Sequence, residues 1–197
     1  MMTIKTFVCN PYQQNTYVVH KEGEKSCFIV DAGMYSSEEE DALTDYIRQQ
    51  QLTVEALLIT HAHPDHICGL ERLLTLFPDA AVHMFSQHTH KGNNRECEKG
   101  QDGVIRGLSC TTVQVLYTPG HKEDCVCYYL PEEGILFSGD TLFYGSIGRT
   151  DLSGGNYDTL IASLHELMKL PADTTVYPGH GEPTTIAHEK KYNPYIF

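Results

Sequence analysis

At 197 residues the chain is long enough to bury one sizeable core and short for two full domains, so a single domain spanning 1–197 is expected. With 41% hydrophobic and 20% charged residues it has the composition of an ordinary globular protein. A formal net charge of -12 disfavours a nucleic-acid backbone or an anionic membrane as main partner, and no apolar run approaches the roughly 20 residues of a spanning helix.

The first third carries three runs rich in β-branched and aromatic residues: TIKTFVC (3–9), NTYVVH (15–20) and SCFIVDAG (26–33). Separated by polar turns, they predict strands. SSEEEDALTDYIRQQQ (36–51) predicts a helix: Ser36 or Ser37 caps it, acids fill its first turn, and Leu43, Tyr46 and Ile47 fall at helical spacing. TVEALLIT (53–60) reads as a fully buried strand. DHICGLERLLTLF (65–77) reads as one helix with Ile67, Leu70, Leu73, Leu74 and Phe77 on a single side. AAVHMF (80–85) predicts a short strand, and the polar, turn-rich 86–107 a long surface loop that can form the rim of a pocket. TTVQVLYTP (111–119), CVCYYL (125–130) and GILFSGD (134–140) supply three more strands, with PEEG as the turn between the last two. YDTLIASLHELMKL (157–170) predicts a helix, TTVYPGHG (174–181) a strand and loop, and TTIAHEKKY (184–192) a short final helix. Strands and helix followed again by strands and helix predict a layered α/β domain, two sheets inside and helices outside.

The start, MMTIKTFVCNPYQQNTYVV, does not read as a signal peptide, because no basic region precedes a long apolar segment and a small-residue cleavage site. Seven cysteines, at 9, 27, 68, 97, 110, 125 and 127, show no paired CxxC spacing. Reduced thiols in a cytoplasm fit this usage, most of them as small buried hydrophobes.

The chemistry concentrates in LLITHAHPDHICGL (57–70), where His61, His63, Asp65 and His66 crowd the end of an apolar run. Three further strands end in a Gly-containing turn with a metal-capable residue: VLYTPGH at His121, ILFSGD at Asp140 and TVYPGH at His180. Loops that follow rigid strands are frequent places for active-site residues. Imidazoles and carboxylates suit a borderline dication such as zinc, while iron and manganese tolerate the same set. His61 and His63, two apart in a non-helical stretch, can point the same way and join His121 around one ion. Asp65 and His66, at a helix start, point towards a second ion with His180, and Asp140 is the natural bridge. Two dications against two aspartates and a hydroxide leave a formal charge of about +1. Such a site would hold a hydroxide at neutral pH and stabilise the oxyanion formed by its attack. A purely structural metal site is the alternative, though it more usually has a closed, Cys-rich set of four ligands.

Around this set, Arg149 can bind a substrate carboxylate or pair with Asp151, and Tyr144 can donate its phenol to a substrate carbonyl or simply pack beside Phe143. Lys122 reads as a solvated charge and Cys68 as core packing.

With H-x-H-x-D-H met by His61, His63, Asp65 and His66, and His121, Asp140 and His180 following in order, the chain resembles the metallo-β-lactamase fold superfamily. VDAG (30–33) is similar to that family's early strand-end turn, which implies a supporting role for Asp31. The resemblance implies a four-layer αββα sandwich with a dinuclear site at one edge. Within the superfamily, GDTLFYGSIGRTDL (139–152), YPGHGEPTT (177–185) and EKKYNPY (189–195) resemble the short, single-domain form of the hydroxyacylglutathione hydrolases, or glyoxalase II. That likeness implies a metal-dependent hydrolase of small hydroxy-acid thioesters, in which the ions generate the nucleophile and Asp65 and Asp140 serve catalysis. Larger members carry a C-terminal helical domain that helps grip glutathione, and no such domain is expected within these 197 residues. GRTD (148–151) and TPGHKEDCVCYYL (118–130) also resemble persulfide dioxygenases, which use one iron held by His, His and Asp. A lactonase, a phosphodiesterase acting on RNA, or a non-enzymatic metal or redox protein are further readings. The acidic charge disfavours the RNA version.

Overall fold

The computed structural model describes residues 1–85, 103–105 and 108–196. Strands β1 (Met2–Cys9), β2 (Gln14–Lys21), β3 (Ser26–Val30), β4 (Thr53–Leu58) and β5 (Ala81–His83) form a five-stranded sheet in chain order. Its first three strands are antiparallel, whereas β3, β4 and β5 run parallel. The parallel steps need crossovers, and helix α1 (Ser37–Gln49) followed by α2 (Pro64–Ile67) and α3 (Leu70–Leu76) provide them. Ser36 is the cap of α1: its hydroxyl accepts from the Glu39 N–H, and the Glu39 carboxylate accepts from the Ser36 N–H.

The second sheet contains β6 (Gly103–Ile105), β7 (Val113–Tyr117), β8 (Val126–Leu130), β9 (Ile135–Gly139), β12 (Thr175–Pro178) and β13 (Thr184–Thr185). Its order is β13-β12-β9-β8-β7-β6. A hairpin of β10 (Leu142–Phe143) and β11 (Ser146–Ile147) and helix α4 (Tyr157–Leu167) lie between the parallel neighbours β9 and β12, and α5 (Ile186–Tyr192) follows β13.

Alternation along the strands produces three apolar layers. Cys27 and Ile29 of β3 face Leu43, Ile47, Leu70 and Leu73 of the helices, while Phe28 and Val30 face Val126, Tyr128 and Phe137 of the other sheet. Beyond that sheet, Cys127, Leu136 and Val176 pack against Leu160, Leu164 and Leu167 of α4 and Ile186 of α5. The layers are therefore helix, sheet, sheet, helix, the expected sandwich. No helix among the described residues is long and apolar enough to cross a membrane.

Three expectations change. The single helix over 65–77 is two, because the Gly69 N–H bonds to the Ala32 carbonyl at 2.8 Å instead of continuing the helical ladder. The hairpin β10–β11 and the strand β13 have only two residues per strand, too short for period-two alternation to register. Within 86–107, residues 103–105 form β6 on the edge of the second sheet. The pocket-rim reading of the remaining positions lies outside the described residues.

Candidate metal centre

The two sheets meet at one end through their backbones. The Val126 N–H bonds to the Thr60 carbonyl at 2.9 Å, and the Asn15 N–H to the Gly179 carbonyl at 2.7 Å. Gly139 permits this approach: at φ +50° its backbone is left-handed, and a Cβ there would lie 2.6 Å from Thr60 Oγ1. Because β9 and β12 are parallel neighbours with Gly139 opposite Pro178, the residues that follow each strand, Asp140 and His180, emerge side by side. His61 to His66 leave β4 across the same junction, and His121 follows β7 there.

All seven predicted residues converge. His61 Nε2 and His121 Nε2 lie 3.0 and 2.9 Å from His63 Nδ1. His180 Nε2 is 3.2 Å from Asp65 Oδ2, and His66 Nε2 is 3.8 Å from the same oxygen. Asp140 stands between the two sets, with Oδ2 3.5 Å from His121 Nε2 and 3.6 Å from His180 Nε2, and Oδ1 3.3 Å from His66 Nε2. Each trio, His61–His63–His121 and Asp65–His66–His180, presents ligand atoms mutually within 4.8 Å.

These residues fit bound metal better than they fit one another, and His61, His66 and Asp140 form a third group of the same kind across the two trios. Buried His66 Nε2 and Asp140 Oδ1 face each other as an ion pair at 3.3 Å without a well-directed hydrogen bond, which leaves both atoms short of partners. Bonds of about 2.05 Å to zinc imply ligand separations of about 3.3 Å at tetrahedral angles, close to those seen here. The outward nitrogens are tethered. His121 Nδ1 lies 2.7 Å from the Arg149 carbonyl and His180 Nδ1 3.0 Å from the Tyr12 carbonyl. A carbonyl only accepts, so both rings carry a proton on Nδ1 and turn Nε2 inward. His66 Nδ1 lies 2.8 Å from Asp31 Oδ2. Asp31, itself left-handed at φ +59°, also accepts from the Thr60 N–H and hydroxyl, and Thr60 Oγ1 sits 3.1 Å from His61 Nδ1.

Without cations the charges are uneven. Burial, reinforced by the neighbouring His66, holds the His61 pKa well below its ordinary value, and burial with His121 lowers His63 to about 4. Burial acts the same way on His66, but Asp140 and Asp31 on either side outweigh it and raise its pKa well above normal. His180 is raised too, its hydrogen bond to Asp65 overcoming burial. Asp140 is lowered despite burial, chiefly by His66.

A cavity of about 610 Å³ opens over this cluster, its far walls made by Tyr12, Phe143, Ile147, Leu152 and Arg149. Arg149 reaches the cavity, yet its guanidinium forks onto both oxygens of Asp151 at 2.7 Å. Tyr144 is not brought to the cavity. It lies in the turn after β10, 57% exposed, and stacks on His188 at 4.7 Å, while Phe143, the last residue of the strand, lines the cavity. Lys122, expected as a solvated charge, pairs with buried Asp124 at 2.7 Å. Cys68, expected in the core, is exposed, its thiol 3.3 Å from the Gly33 carbonyl. Tyr12 escaped sequence reasoning because nothing in NPYQQN distinguishes a cavity wall from any polar turn. Asn10 anchors that turn, its amide donating to the Gly33 and Asp65 carbonyls.

A family profile described as "Metallo-beta-lactamase superfamily" matches residues 9–180. A "Probable metallo-hydrolase YqgX" of Bacillus subtilis (strain 168) is 33% identical over 94% of this chain and 93% of its own length. A "Hydroxyacylglutathione hydrolase" of Francisella tularensis subsp. novicida (strain U112) is 36% identical over 71% of this chain, a match spanning 54% of that relative. The chain thus covers about half the length of the hydroxyacylglutathione hydrolases it matches. Among solved structures, the BLEG-1 B3 metallo-beta-lactamase superposes with a TM-score of 0.87 at 32% identity, covering 98% of this chain and 99% of that one. ETHE1 from Myxococcus xanthus superposes at 0.85 with 29% identity, covering 98% and 83%. TTHA1623 in a di-iron-bound form superposes at 0.81 with 31% identity, covering 98% and 100%. With the matched profile spanning most of the chain and its motif residues gathered at one edge of the sandwich, the chain belongs to the metallo-beta-lactamase superfamily.

Proposed function

We propose that this chain is a dinuclear metal-dependent hydrolase that cleaves thioesters of small hydroxy acids. The observation that carries the reading is the pair of ligand trios with Asp140 between them. His61, His63 and His121 would hold one ion, Asp65, His66 and His180 the other, and Asp140 both. Dications held there would supply a nucleophile by lowering the pKa of water and would polarise a carbonyl oxygen. Zinc suits the donors, and iron fits them also, as the di-iron-bound form of TTHA1623 illustrates for a relative.

The chain's own residues supply position and shape. The Arg149 and Tyr12 carbonyls and the Asp31 carboxylate fix the imidazoles, so little reorganisation is needed when substrate arrives. Phe143, Ile147 and Leu152 offer an apolar wall to the acyl group. Arg149, at the cavity's side, can exchange Asp151 for a carboxylate of the thiol carrier. The likeness to hydroxyacylglutathione hydrolase supports a glutathione-type thioester, and the unpaired cysteines among the described residues suit a reducing cytoplasm.

A persulfide dioxygenase is the second reading, supported by the likeness to ETHE1 and by GRTD at 148–151. The position of His180, 3.2 Å from Asp65 and 3.6 Å from Asp140, favours two ions over one. Thiol release from lactoylglutathione by metal-replete protein, with a chelated sample alongside, tests the proposal. Release that chelation abolishes supports it. Oxygen uptake with a persulfide, unaffected by His180→Ala, would replace it.

A further inference from the structure

The hairpin β10–β11 makes a wall of the cavity with Phe143, Ser146 and Ile147, and leads directly to Arg149, whose carbonyl orients His121. Its two strands pair only through Leu142–Ile147 and Phe143–Ser146. A hairpin this short has too little pairing to hold its own shape. What holds its tip is the C-terminal helix. Glu189, fully buried, accepts the Gly145 N–H through Oε2 at 3.0 Å. Asn193, one helical turn on, donates from Nδ2 to the same Oε2 at 2.7 Å and to the Ser146 carbonyl at 3.0 Å. Thr184 donates to Glu189 Oε1 at 2.5 Å. A buried carboxylate is retained at a cost unless its acceptor sites are filled, and here its nearest partners, including two hydrogen bonds at or behind the hairpin turn, are neutral donors.

We propose that Glu189 and Asn193 are positioning residues of the active site. They clamp the β10–β11 turn so that Phe143 and Ile147 stay on the cavity wall and the Arg149 carbonyl stays on His121. The inference rests on the catalytic reading of the His/Asp cluster, and it gives the EKKYNPY segment a task at the site rather than in the scaffold alone. Glu189 touches neither metal ligands nor substrate and acts only through the hairpin.

The test uses the metal-loaded full chain with Glu189→Gln and Asn193→Ala. Glu189→Gln keeps the shape of the side chain but replaces the charge-assisted bonds from Gly145 and Asn193 by weaker neutral ones, and it forces Thr184 to accept where it now donates. Asn193→Ala leaves the carboxylate on Gly145 and is the reserve should the first variant not fold. Amide hydrogen exchange is read at Gly145, Ser146 and Ile147, and KM and kcat are read with lactoylglutathione. Exchange at these three amides at least tenfold faster than wild type, with β2 and β3 unchanged, supports the clamp. So does a KM raised more than kcat is lowered, the Asn193→Ala effect being the larger. Exchange accelerated evenly through the sandwich, or hairpin exchange and KM both unchanged, overturns it. If wild type releases no thiol from lactoylglutathione, the thioesterase reading fails, and hairpin exchange in the two variants still decides the clamp.

Discussion

Adding one methyl group beside the metal cluster is a sharper test of its geometry than deleting a ligand. Gly179 has no left-handed φ, so Gly179→Ala is permitted by its backbone. The new Cβ, however, would lie 2.2 Å from Asp140 Oδ1 and 2.7 Å from His66 Cε1. Optimal separation between non-bonded carbons is about 3.5 Å, so Asp140, His66 or both must retreat by about 1 Å. Overpacking of this kind costs about 1–3 kcal/mol of stability. At about 2–4 °C per kcal/mol in a chain of this size, the thermal midpoint of metal-free protein should fall by about 2–12 °C. Activity should suffer far more, because misplacing catalytic groups by about 1 Å costs about 100-fold. Gly134→Ala is the control. It sits at φ +64° in open space at the opposite end of β9, so it carries a backbone penalty of about 1–2 kcal/mol and should leave turnover intact. The assay is thiol release together with metal content per chain. A Gly179→Ala protein that keeps two ions and full turnover would refute the placement of Asp140 and His66 in one coordination set.

His61→Ala or Asp140→Ala should abolish turnover while circular dichroism still reports a folded chain; undiminished activity in either would reject the dinuclear mechanism. In metal-free protein His63 titrates at about 4 when folded against an ordinary 6.5, so its stabilising contribution is present above pH 6.5 and lost as pH falls to about 4. Metal-free His63→Gln should therefore lose less thermal stability across pH 6.5 to 4 than wild type, and equal slopes would count against a half-buried neutral imidazole there. Tyr144→Phe should leave kcat/KM within about twofold, because the ring stacks on His188 away from the cavity and exposed substitutions are nearly neutral. A loss of about 100-fold, the scale of a removed general acid or electrostatic donor, would return the phenol to the substrate.

The long strands and α1 were legible because each carries its own signal. β3 and β9 carry the apolar cores CFIV and ILF and are buried throughout, and α1 displays both halves of a capping box with its acids in the first turn. The seven metal-capable residues were legible because each follows a strand end, and the convergence arises from what the chain does not print: backbone bonds between the sheets at Thr60 and Gly179. Gly69 broke a helix that periodicity ran straight through, since its N–H was claimed by Ala32, far away in sequence. The choice between Phe143 and Tyr144 was equally hidden. Two-residue strands carry no readable alternation, and which residue faces inward is decided by a hairpin held from the C-terminal helix. Arg149 was left open between carboxylate binding and Asp151, and the structure presents the second partner while keeping the first within reach.

The most direct measurement titrates zinc into metal-free protein while following thiol release from lactoylglutathione and metal bound per chain. The account predicts activity that rises with bound zinc to a plateau at about two ions per chain, as expected of two trios with Asp140 between them. A chain that binds two ions and releases no thiol, or one whose activity is complete with a single ion, would contradict it.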